Sequence, residues 1–293
     1  MIVAWFLLQA LLVLAAVQLM DIRAWRRNAS VLLLIAALLL PLYVPAGALP
    51  RALLSCLALL SLVKVLQIAQ HPDRWPAGDR LWHAFAPFDI KRTRPRPRTL
   101  DRPLLKLVLL HCSLALAALL GLWLLPRALP LGLMLLRMGL GALLVYSGMD
   151  AVTEALRLAH GLSGVSVPPI QATPIASQSI REFWSQRWNK PVSEWLAEFV
   201  FIPVSRRSNA GWGVMASFAA SGLLHAWMFY SAVGLGPAIM AFAFFIFQAM
   251  FVMVESFIRL RQLSQRLRRA WTLGMLAISS PLFVEPVLRV LGL

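Results

Sequence analysis

Apolar runs of about 20 residues constrain the fold of this chain more than any other feature. A helix needs about 20 apolar residues to cross a hydrocarbon layer of ~30 Å. Of the 293 residues, 60% are hydrophobic and only 14% are charged, a composition outside the range of soluble proteins. The predicted spans lie at about residues 1–20, 29–46, 49–70, 104–125, 129–150, 210–233, 237–258 and 270–292.

The predicted fold class is therefore all-α: a polytopic integral membrane protein with about eight transmembrane helices, forming one domain over residues 1–293. The first apolar run has no basic residues before it, so we expect a helix that is kept rather than a cleaved signal peptide. Cys56 and Cys112 fall inside predicted spans, and their spacing indicates neither a disulfide framework nor a metal site.

The basic residues are distributed unevenly between the predicted loops. Of the 28 Lys and Arg, three lie in 21–28, eight in 71–103, six in 151–209 and five in 259–269, whereas the loops between these hold only Arg51 and Arg127. This bias predicts a multi-pass protein with its basic loops in the cytoplasm. The net charge of +16 then indicates contact with anionic lipid headgroups or an anionic cytosolic cosubstrate, and no nucleic-acid partner is needed. Richness in Arg, Ala and Leu and compact loops favour a bacterial inner membrane.

Two cytoplasmic segments are too long to be simple connections. The first contains a basic run at residues 91–98 in which prolines alternate with arginines, a pattern that favours extended backbone. This run is expected either to rest on anionic lipid or to dock a phosphate-bearing cosubstrate, and its sequence is compatible with both.

The second long segment, about 151–209, is predicted to contain a short amphipathic helix. Ser179 and Glu182 have the spacing of a capping box, which satisfies free N–H groups at a helix start. Pro191 is expected to end the helix at Lys190. The helix is rich in tryptophan and arginine, which is typical of a helix that lies at the membrane interface.

The apolar stretch Trp195–Val204 follows this helix and is too short to cross a membrane. Pro203 interrupts it, so we predict a re-entrant or interfacial element. Because irregular backbone at membrane depth is tolerated only inside protein or beside a cavity, an internal cavity is expected near residues 184–209.

His225 is an ionisable residue in the middle of the apolar run Val214–Val233. A polar group in hydrocarbon is costly, so an intramembrane histidine is by default a candidate functional residue. Ser221 and Ser217 lie one and two helical turns before it. The three side chains share one helix face, which we expect to point into protein.

Two sequence blocks contain a distinctive set of residues: Ser179, Glu182, Phe183, Trp184, Arg187, Trp188 and Asn189, followed by Ser221, Gly222, Leu223 and His225. Together these blocks resemble a known family, the wax synthase branch of the membrane-bound O-acyltransferases. The similarity is closest over the core motif region, about residues 175–233, and Asn189 and His225 are 36 residues apart, a separation similar to that in the family.

The resemblance implies an acyl-CoA-dependent O-acyltransferase that esterifies a hydroxyl acceptor in a chamber within the bilayer, without a metal or other cofactor. It implies that His225 is the general base and that Asn189 is the second active-site residue. Both roles fit the side chains, because a buried neutral imidazole can take a hydroxyl proton and a carboxamide can orient the acceptor or stabilise an oxyanion. The acceptor is expected to be a long-chain alcohol or another lipophilic or small hydroxylated molecule.

Four further residues are candidates for substrate binding. Ser221 lies on the face of His225, while Trp184 and Trp188 are either substrate contacts or interfacial anchors. Arg187 is expected to meet a lipid headgroup or the phosphates of an acyl carrier.

Other polar residues suggest competing interpretations. His111, inside the fourth predicted span, is a rival general base, and Glu255 is predicted to pair with Arg259 four residues on. The loop histidines His71, His83 and His160 are expected to be solvated.

Gly139 and Gly141 are predicted to allow close helix packing. At the level of the whole protein, two alternatives to an enzyme remain: a transporter with an intramembrane polar pathway, or a non-catalytic lipid-binding scaffold.

Overall fold

The computed structural model describes residues 2–19, 24–70, 75–126 and 130–293, without the side chains of 24–27, 77 and 261. The first half contains α1 (Ile2–Gln18), α2 (Ala24–Tyr43), α3 (Ala48–Gln70), α4 (Ala77–Phe85), α5 (Arg102–Leu124) and α6 (Leu131–Leu162). The second half contains α7 (Ile180–Glu182), α8 (Lys190–Leu196), α9 (Ile202–Arg207), α10 (Ala210–Val233), α11 (Leu235–Phe257), α12 (Gln265–Ser279) and α13 (Pro281–Val290). The all-α prediction is confirmed.

Each predicted span contains a helix, but a count of eight spans is not confirmed. By length and composition, four described helices could cross a membrane: α3, α5, α6 and α11. A fifth crossing is possible if α12 and α13, which are bent by 49° at Ser280, form one broken span. Helix α1 and the apolar part of α2 are shorter than 18 residues, and α10 is not among the four despite its 24 residues.

The helices pack into two connected groups. Helices α1, α2, α3 and α4 share one apolar cluster that includes Val13, Leu34 and Val65. Helix α10 packs along α11 and also contacts α3, and α13 contacts both α11 and α6. Helix α6 is longer than expected, because it continues twelve residues beyond the predicted end of its span at residue 150.

The basic run packs on protein along part of its length. Arg94 and Pro95 form a two-residue strand, β1, that pairs antiparallel with strand β2 at Val165 and Ser166. The predicted extended backbone is therefore confirmed at these residues. The side chain of Arg96 lies against Gly161, where a Cβ would be 3.1 Å from Nη1.

The amphipathic helix is present but ends earlier than predicted. Ser179 Oγ accepts a hydrogen bond from the Glu182 N–H at 2.9 Å, as in a capping box, while Glu182 Oε2 accepts from the N–H of Gln178 rather than that of Ser179. After α7, a π-helical turn covers Phe183–Arg187. The prediction that Pro191 ends the helix was wrong, because Pro191 lies in the first turn of α8, a position that tolerates proline.

Proline does not interrupt the following apolar element either. A second π-helical turn, Ala197–Phe201, connects α8 to α9, so the chain is helical from Lys190 to Arg207. Pro203 lies in the first turn of α9. Its missing N–H is therefore accommodated next to the π turn, and the element is a helix rather than an irregular loop.

His83 is buried, contrary to the prediction that it is solvated. Its side chain is 1% exposed, stacks on Trp75 with ring centroids 4.1 Å apart, and shares a 3.1 Å hydrogen bond with Gln67. His160 is half-buried and packs edge-on against Phe88. His71 lies outside the described residues.

Candidate active site

A cavity of about 810 Å³ lies between α6, α10, α11, the α12–α13 pair and the segment from Arg181 to Phe201. Its volume is within the range of small-molecule sites, roughly 300 to 1,000 Å³. Its lining is mostly apolar with a few polar side chains, a composition suited to binding a lipid-like substrate. A cavity is therefore present near residues 184–201, as expected, although the backbone beside it is helical rather than irregular.

His225 lines this cavity together with Ser217 and Ser221, so the shared polar face of α10 points into protein as predicted. The Nδ1 atom of His225 lies 2.8 Å from the carbonyl oxygen of Ser221. A carbonyl can only accept, so Nδ1 carries the hydrogen and, in the neutral ring, Nε2 has the free lone pair. The geometry therefore leaves a basic nitrogen on a side chain that borders the cavity.

Two phenylalanine rings fix the position of the His225 ring. Phe245 lies 4.5 Å and Phe283 5.5 Å from it, measured between ring centroids. Gly222, in the same sequence block, allows α11 to come this close, since a Cβ there would be 2.9 Å from Phe242 and 3.3 Å from Phe245. The glycine of the motif thus has a packing role beside the histidine.

Asn189 also lines the cavity, at the junction between the π turn and α8. Its backbone is left-handed, with φ of 42°, a conformation that asparagine tolerates better than most residues. The backbone N–H donates to Gln171 Oε1 at 2.9 Å, and the carbonyl accepts from the N–H of Ser193 at 3.0 Å. The side-chain amide makes no capping bond to α8, which favours a role at the cavity over one in local structure.

Trp184 forms part of the cavity wall and is held by a chain of hydrogen bonds. Its Nε1–H donates to Gln248 Oε1 at 3.1 Å, and Gln248 Nε2 donates to Ser279 Oγ at 2.8 Å. This chain connects the motif segment to α11 and α12. Trp188 lines the cavity beside Trp184 and stacks on Phe183 with centroids 5.5 Å apart.

Arg187 is bound by protein groups and is not among the cavity-lining residues. Its Nε donates to Glu182 Oε1 at 2.6 Å and its Nη1 to the carbonyl of Ala172 at 3.0 Å. Burial raises the pKa of the Glu182 carboxyl, but the Gln178 N–H and Arg187 outweigh burial and lower it overall. Arg181, by contrast, lines the cavity and is exposed.

Glu255 does not form the predicted ion pair with Arg259. Its Oε1 accepts the Ile180 N–H at 2.5 Å and the Trp271 Nε1–H at 3.2 Å, and its Oε2 accepts the Arg181 N–H at 3.2 Å. Two of these donors belong to the first turn of α7. Free N–H groups at a helix start favour a carboxylate there more strongly than a solvent-exposed arginine one turn away.

His111, the rival base, lies in a different environment. Its Nδ1 is 2.7 Å from Glu154 Oε2 and its Nε2 is 3.7 Å from Asp150 Oδ2. Both ring nitrogens therefore face carboxylates, and His111 is not among the cavity-lining residues.

The structure brings five of the six predicted site residues to one cavity: Trp184, Trp188, Asn189, Ser221 and His225. The sequence-based interpretation missed Gln248 and Tyr146, which contact this group from α11 and α6. Both are polar residues within long apolar helices. Such positions are signals that the sequence offers without any motif.

Comparison with known proteins addresses the family directly. Residues 167–247 match the model of the membrane bound O-acyl transferase family. The chain is 34% identical over 179 residues to a protein from Arabidopsis thaliana named probable long-chain-alcohol O-fatty-acyltransferase 1, covering 55% of this chain and 51% of that protein. It is 26% identical over 159 residues to the long-chain-alcohol O-fatty-acyltransferase of Simmondsia chinensis, covering 49% and 45%.

The resemblance to the wax synthase-like membrane-bound O-acyltransferases is confirmed. The chain spans about half the length of the relatives it matches. The matched residues 167–247 contain all six predicted site residues, including Asn189 and His225. With four apolar helices long enough to cross a bilayer, the chain is an integral membrane protein.

Proposed function

We propose that this protein transfers an acyl group from acyl-CoA to the hydroxyl of a long-chain or other lipophilic alcohol, and so forms an ester. The observation that carries the proposal is that His225, with its Nδ1–H bound to the Ser221 carbonyl, lines the same cavity as Asn189. The names of the plant relatives, long-chain-alcohol O-fatty-acyltransferases, support an alcohol as acceptor.

The proposed reaction proceeds in one active site without a covalent enzyme intermediate. Nε2 of His225 takes the proton of the acceptor hydroxyl while its oxygen attacks the thioester carbonyl. The C–S bond then breaks, and the imidazolium returns the proton to the departing thiolate to give free CoA. Atoms and protons balance, so this scheme needs no metal or other cofactor.

Asn189 is proposed to stabilise the transition state. Its side-chain N–H groups are donors that suit the oxygen anion that develops on the thioester carbonyl. The backbone bonds of Asn189 to Gln171 and Ser193 hold the residue in place before substrate arrives. A donor held in advance costs no reorganisation during the reaction.

The apolar cavity is proposed to hold the acyl chain and to exclude water. Exclusion of water protects the thioester from hydrolysis and strengthens the hydrogen bonds inside the site. Trp184 and Trp188 line the cavity and are proposed to contact substrate. Ser221 binds His225 through its carbonyl, so its proposed contribution to binding includes orienting the base.

The CoA head group is proposed to remain at the basic face of the protein. Arg181 is the better candidate for a phosphate contact than Arg187, because it lines the cavity and is exposed while Arg187 is held by Glu182 and Ala172. We place the basic loops in the cytoplasm, where anionic lipid is a further partner. The proposed location is a bacterial inner membrane, on the composition and loop lengths given above.

The test compares two histidines with the same local bond. His160, in α6, lies with Nδ1 2.8 Å from the carbonyl of Leu156 four residues earlier, as His225 does with Ser221. Purified protein in detergent is incubated with labelled acyl-CoA and a panel of alcohols. We expect an ester product that His225→Gln reduces by about 10²- to 10⁴-fold, the usual contribution of a general base, and that His160→Gln leaves within about twofold.

The alternatives make different forecasts in the same assay. Normal turnover by His225→Gln would make the base assignment wrong. Absence of ester with every alcohol would favour a transporter or lipid-binding scaffold instead. Comparison of lipid extracts from cells with and without the protein would then identify the molecule that it handles.

A further inference from the structure

Four polar residues outside the matched family region form a cluster between α5 and α6. Tyr146, Asp150 and Glu154 are spaced by four residues and so share one face of α6, and His111 faces them from α5. Both helices are long and apolar enough to cross a membrane. Ionisable side chains in such helices are expensive to bury and are functional candidates by default.

Internal pairing accounts for only part of the cluster. His111 Nδ1 and Glu154 Oε2 form a close pair at 2.7 Å, and Arg157, one turn beyond, adds a favourable interaction with Glu154. Asp150 is left with the His111 Nε2 atom at 3.7 Å, which is too long for a direct hydrogen bond. Its Oδ1 atom is buried and has no hydrogen-bond partner among the residues that the structure describes.

A buried carboxyl oxygen without a partner lowers stability unless a ligand or a water molecule donates a hydrogen bond to it. The Asp150 side chain is 6% exposed, and bulk solvent therefore reaches it poorly. In either protonation state the carboxyl group keeps at least one oxygen that can accept a hydrogen bond. The cluster therefore has unused capacity to bind a hydrogen-bond donor.

Tyr146 connects this cluster to the cavity. Its side chain lines the cavity, its ring lies 6.4 Å from that of Trp188, and Asp150 lies one turn further along the same face of α6. A phenol oxygen can accept one hydrogen bond while its O–H donates to another group, and a carboxyl group one helical turn away would strengthen this acceptor by polarising the phenol. A hydroxyl in the cavity could donate to this oxygen.

We propose that Tyr146 and Asp150, supported by His111 and Glu154, form a second polar subsite of the cavity that binds a hydroxyl of the acceptor other than the one that is acylated. The proposal rests on the proposed function, because it takes the acceptor to be an alcohol. The subsite favours neutral donors, since the carboxyl groups of the cluster repel phosphates and fatty carboxylates. The preferred acceptor is then a lipophilic diol or polyol rather than a simple alkanol.

The experiment compares acceptors of equal chain length. Purified full-length protein receives labelled acyl-CoA with 1-dodecanol or with dodecanediols whose second hydroxyl lies at increasing distance from the first. We expect at least one diol to have a kcat/KM about tenfold above that of 1-dodecanol, the effect of one additional hydrogen bond. Tyr146→Phe and Asp150→Asn should each bring this ratio close to one.

Tyr230→Phe is the matched control, because Tyr230 lies on α10 and is 46% exposed. It should keep the diol preference of the wild-type protein. The proposal is overturned if no diol exceeds 1-dodecanol in the wild-type protein, as expected when only an ordered water completes Asp150. It is equally overturned if both cluster variants keep the preference.

A binding measurement separates this proposal from the proposed function. Equilibrium binding of a labelled diol and of labelled 1-dodecanol is measured without acyl-CoA, for the wild-type protein and for Tyr146→Phe. If the wild-type protein binds the diol more tightly than 1-dodecanol and Tyr146→Phe abolishes this difference, the subsite is supported even if no ester ever forms. Ester formation that depends on His225, with equal binding of diol and alkanol, would refute the subsite and leave the proposed function intact.

Discussion

The helices α1 to α4 and the helices around the cavity both bury polar side chains, but they use them differently. In the first group, Lys64 donates to the carbonyl of Phe88 at 2.9 Å, and His83 is bound to Gln67 and stacked on Trp75. At the cavity, one ring nitrogen of His225 is bound to backbone and the other is available. The comparison teaches that burial alone does not distinguish the two regions, whereas a free ring nitrogen on a side chain that lines a cavity does, and the proposed role of His225 rests on that difference.

After the loss of the proposed base itself, the largest expected effect is at Asn189. Asn189→Gly removes the proposed oxyanion donor while it keeps the left-handed backbone, which glycine adopts without strain. We expect kcat to fall by about 10²- to 10³-fold, the effect of losing one oxyanion donor. The measurement is steady-state kinetics with acyl-CoA and a long-chain alcohol.

Asn209 provides the control for this substitution. Its side chain caps α10 by accepting from the Trp212 N–H at 3.1 Å, and glycine at such a cap costs only a few tenths of a kcal/mol. Asn209→Gly should therefore retain activity. Equal losses in the two variants would mean that the Asn189 side chain serves structure, as the polar groups of α1 to α4 do.

The second prediction concerns Glu255, which holds the motif segment from outside the matched region. Glu255→Ala leaves three donors without their acceptor, two of them at the start of α7. We expect faster hydrogen exchange at residues 180–187 and a kcat about tenfold lower, because each lost bond to a charged group is worth about 1.5 to 3 kcal/mol locally. Glu255→Gln, which keeps an acceptor oxygen, should recover most of the loss.

Glu285→Ala serves as the comparison for Glu255. Glu285 pairs with Arg137 and Arg289, and neither Glu285 nor these arginines lines the cavity. Its loss should lower thermal stability without changing hydrogen exchange at residues 180–187. A slow, wild-type exchange rate in Glu255→Ala would contradict the anchoring role.

The third prediction uses two neighbouring glycines of α6. A Cβ on Gly141 would collide with the side chain of Val284, whereas a Cβ on Gly139 would meet no atom within 4 Å and would point into open space at the cavity. Gly141→Ala should lower the thermal midpoint by several degrees, and Gly139→Ala should not. The predicted packing role is thus supported for Gly141 alone.

Gly139→Leu extends this prediction to substrate choice. The larger side chain should occupy part of the 810 Å³ cavity and shift the preferred acyl or alcohol chain towards shorter lengths by several-fold in kcat/KM. The measurement is a competition among acyl-CoA donors of different lengths. An unchanged chain-length profile would show that substrate does not reach this part of the cavity.

The sequence was sufficient to predict most helices and to select motif residues that line one cavity. Apolar runs located the helices, and the pairing of two motif blocks placed Asn189 and His225 at one cavity. The predictions that were wrong concern contacts between residues that are far apart in the sequence. Glu255 was assigned to its neighbour Arg259 because local spacing offered that partner, whereas two of its three donors are about 75 residues earlier in the chain and the third, Trp271, is on the next helix.

Proline was also misleading as a local signal. Pro191 and Pro203 were expected to end or interrupt helices, but Pro191 lies in the first turn of α8, where its missing N–H costs nothing, and Pro203 lies just after a π turn inside a continuous helix. Whether a proline ends one helix or begins the next depends on the backbone hydrogen bonds of the turn before it. Here π turns precede both prolines, and no local sequence pattern predicted these turns.

The smallest expected effect tests the structural histidine. Burial, and then the charges of Lys64 and Lys91, lower the pKa of His83 from 6.5 to about 3. The unfolded chain therefore binds a proton that the folded chain excludes between these values. The contribution of neutral His83 to stability is complete above pH 6.5 and is lost as pH falls towards 3, with a slope of up to about 1.4 kcal/mol per pH unit.

His83→Gln removes this titration while Gln keeps a polar side chain near Gln67. Thermal unfolding in detergent at pH 7.5 and pH 5 should show a smaller drop in midpoint for the variant than for the wild-type protein, even if the variant is less stable at both pH values. Ester synthesis at pH 7.5 should remain near the wild-type rate, since His83 lies away from the cavity. If a folded His83→Gln protein lost ester synthesis, the distinction between the two regions would fail. A histidine that does not line the cavity would then be needed for turnover.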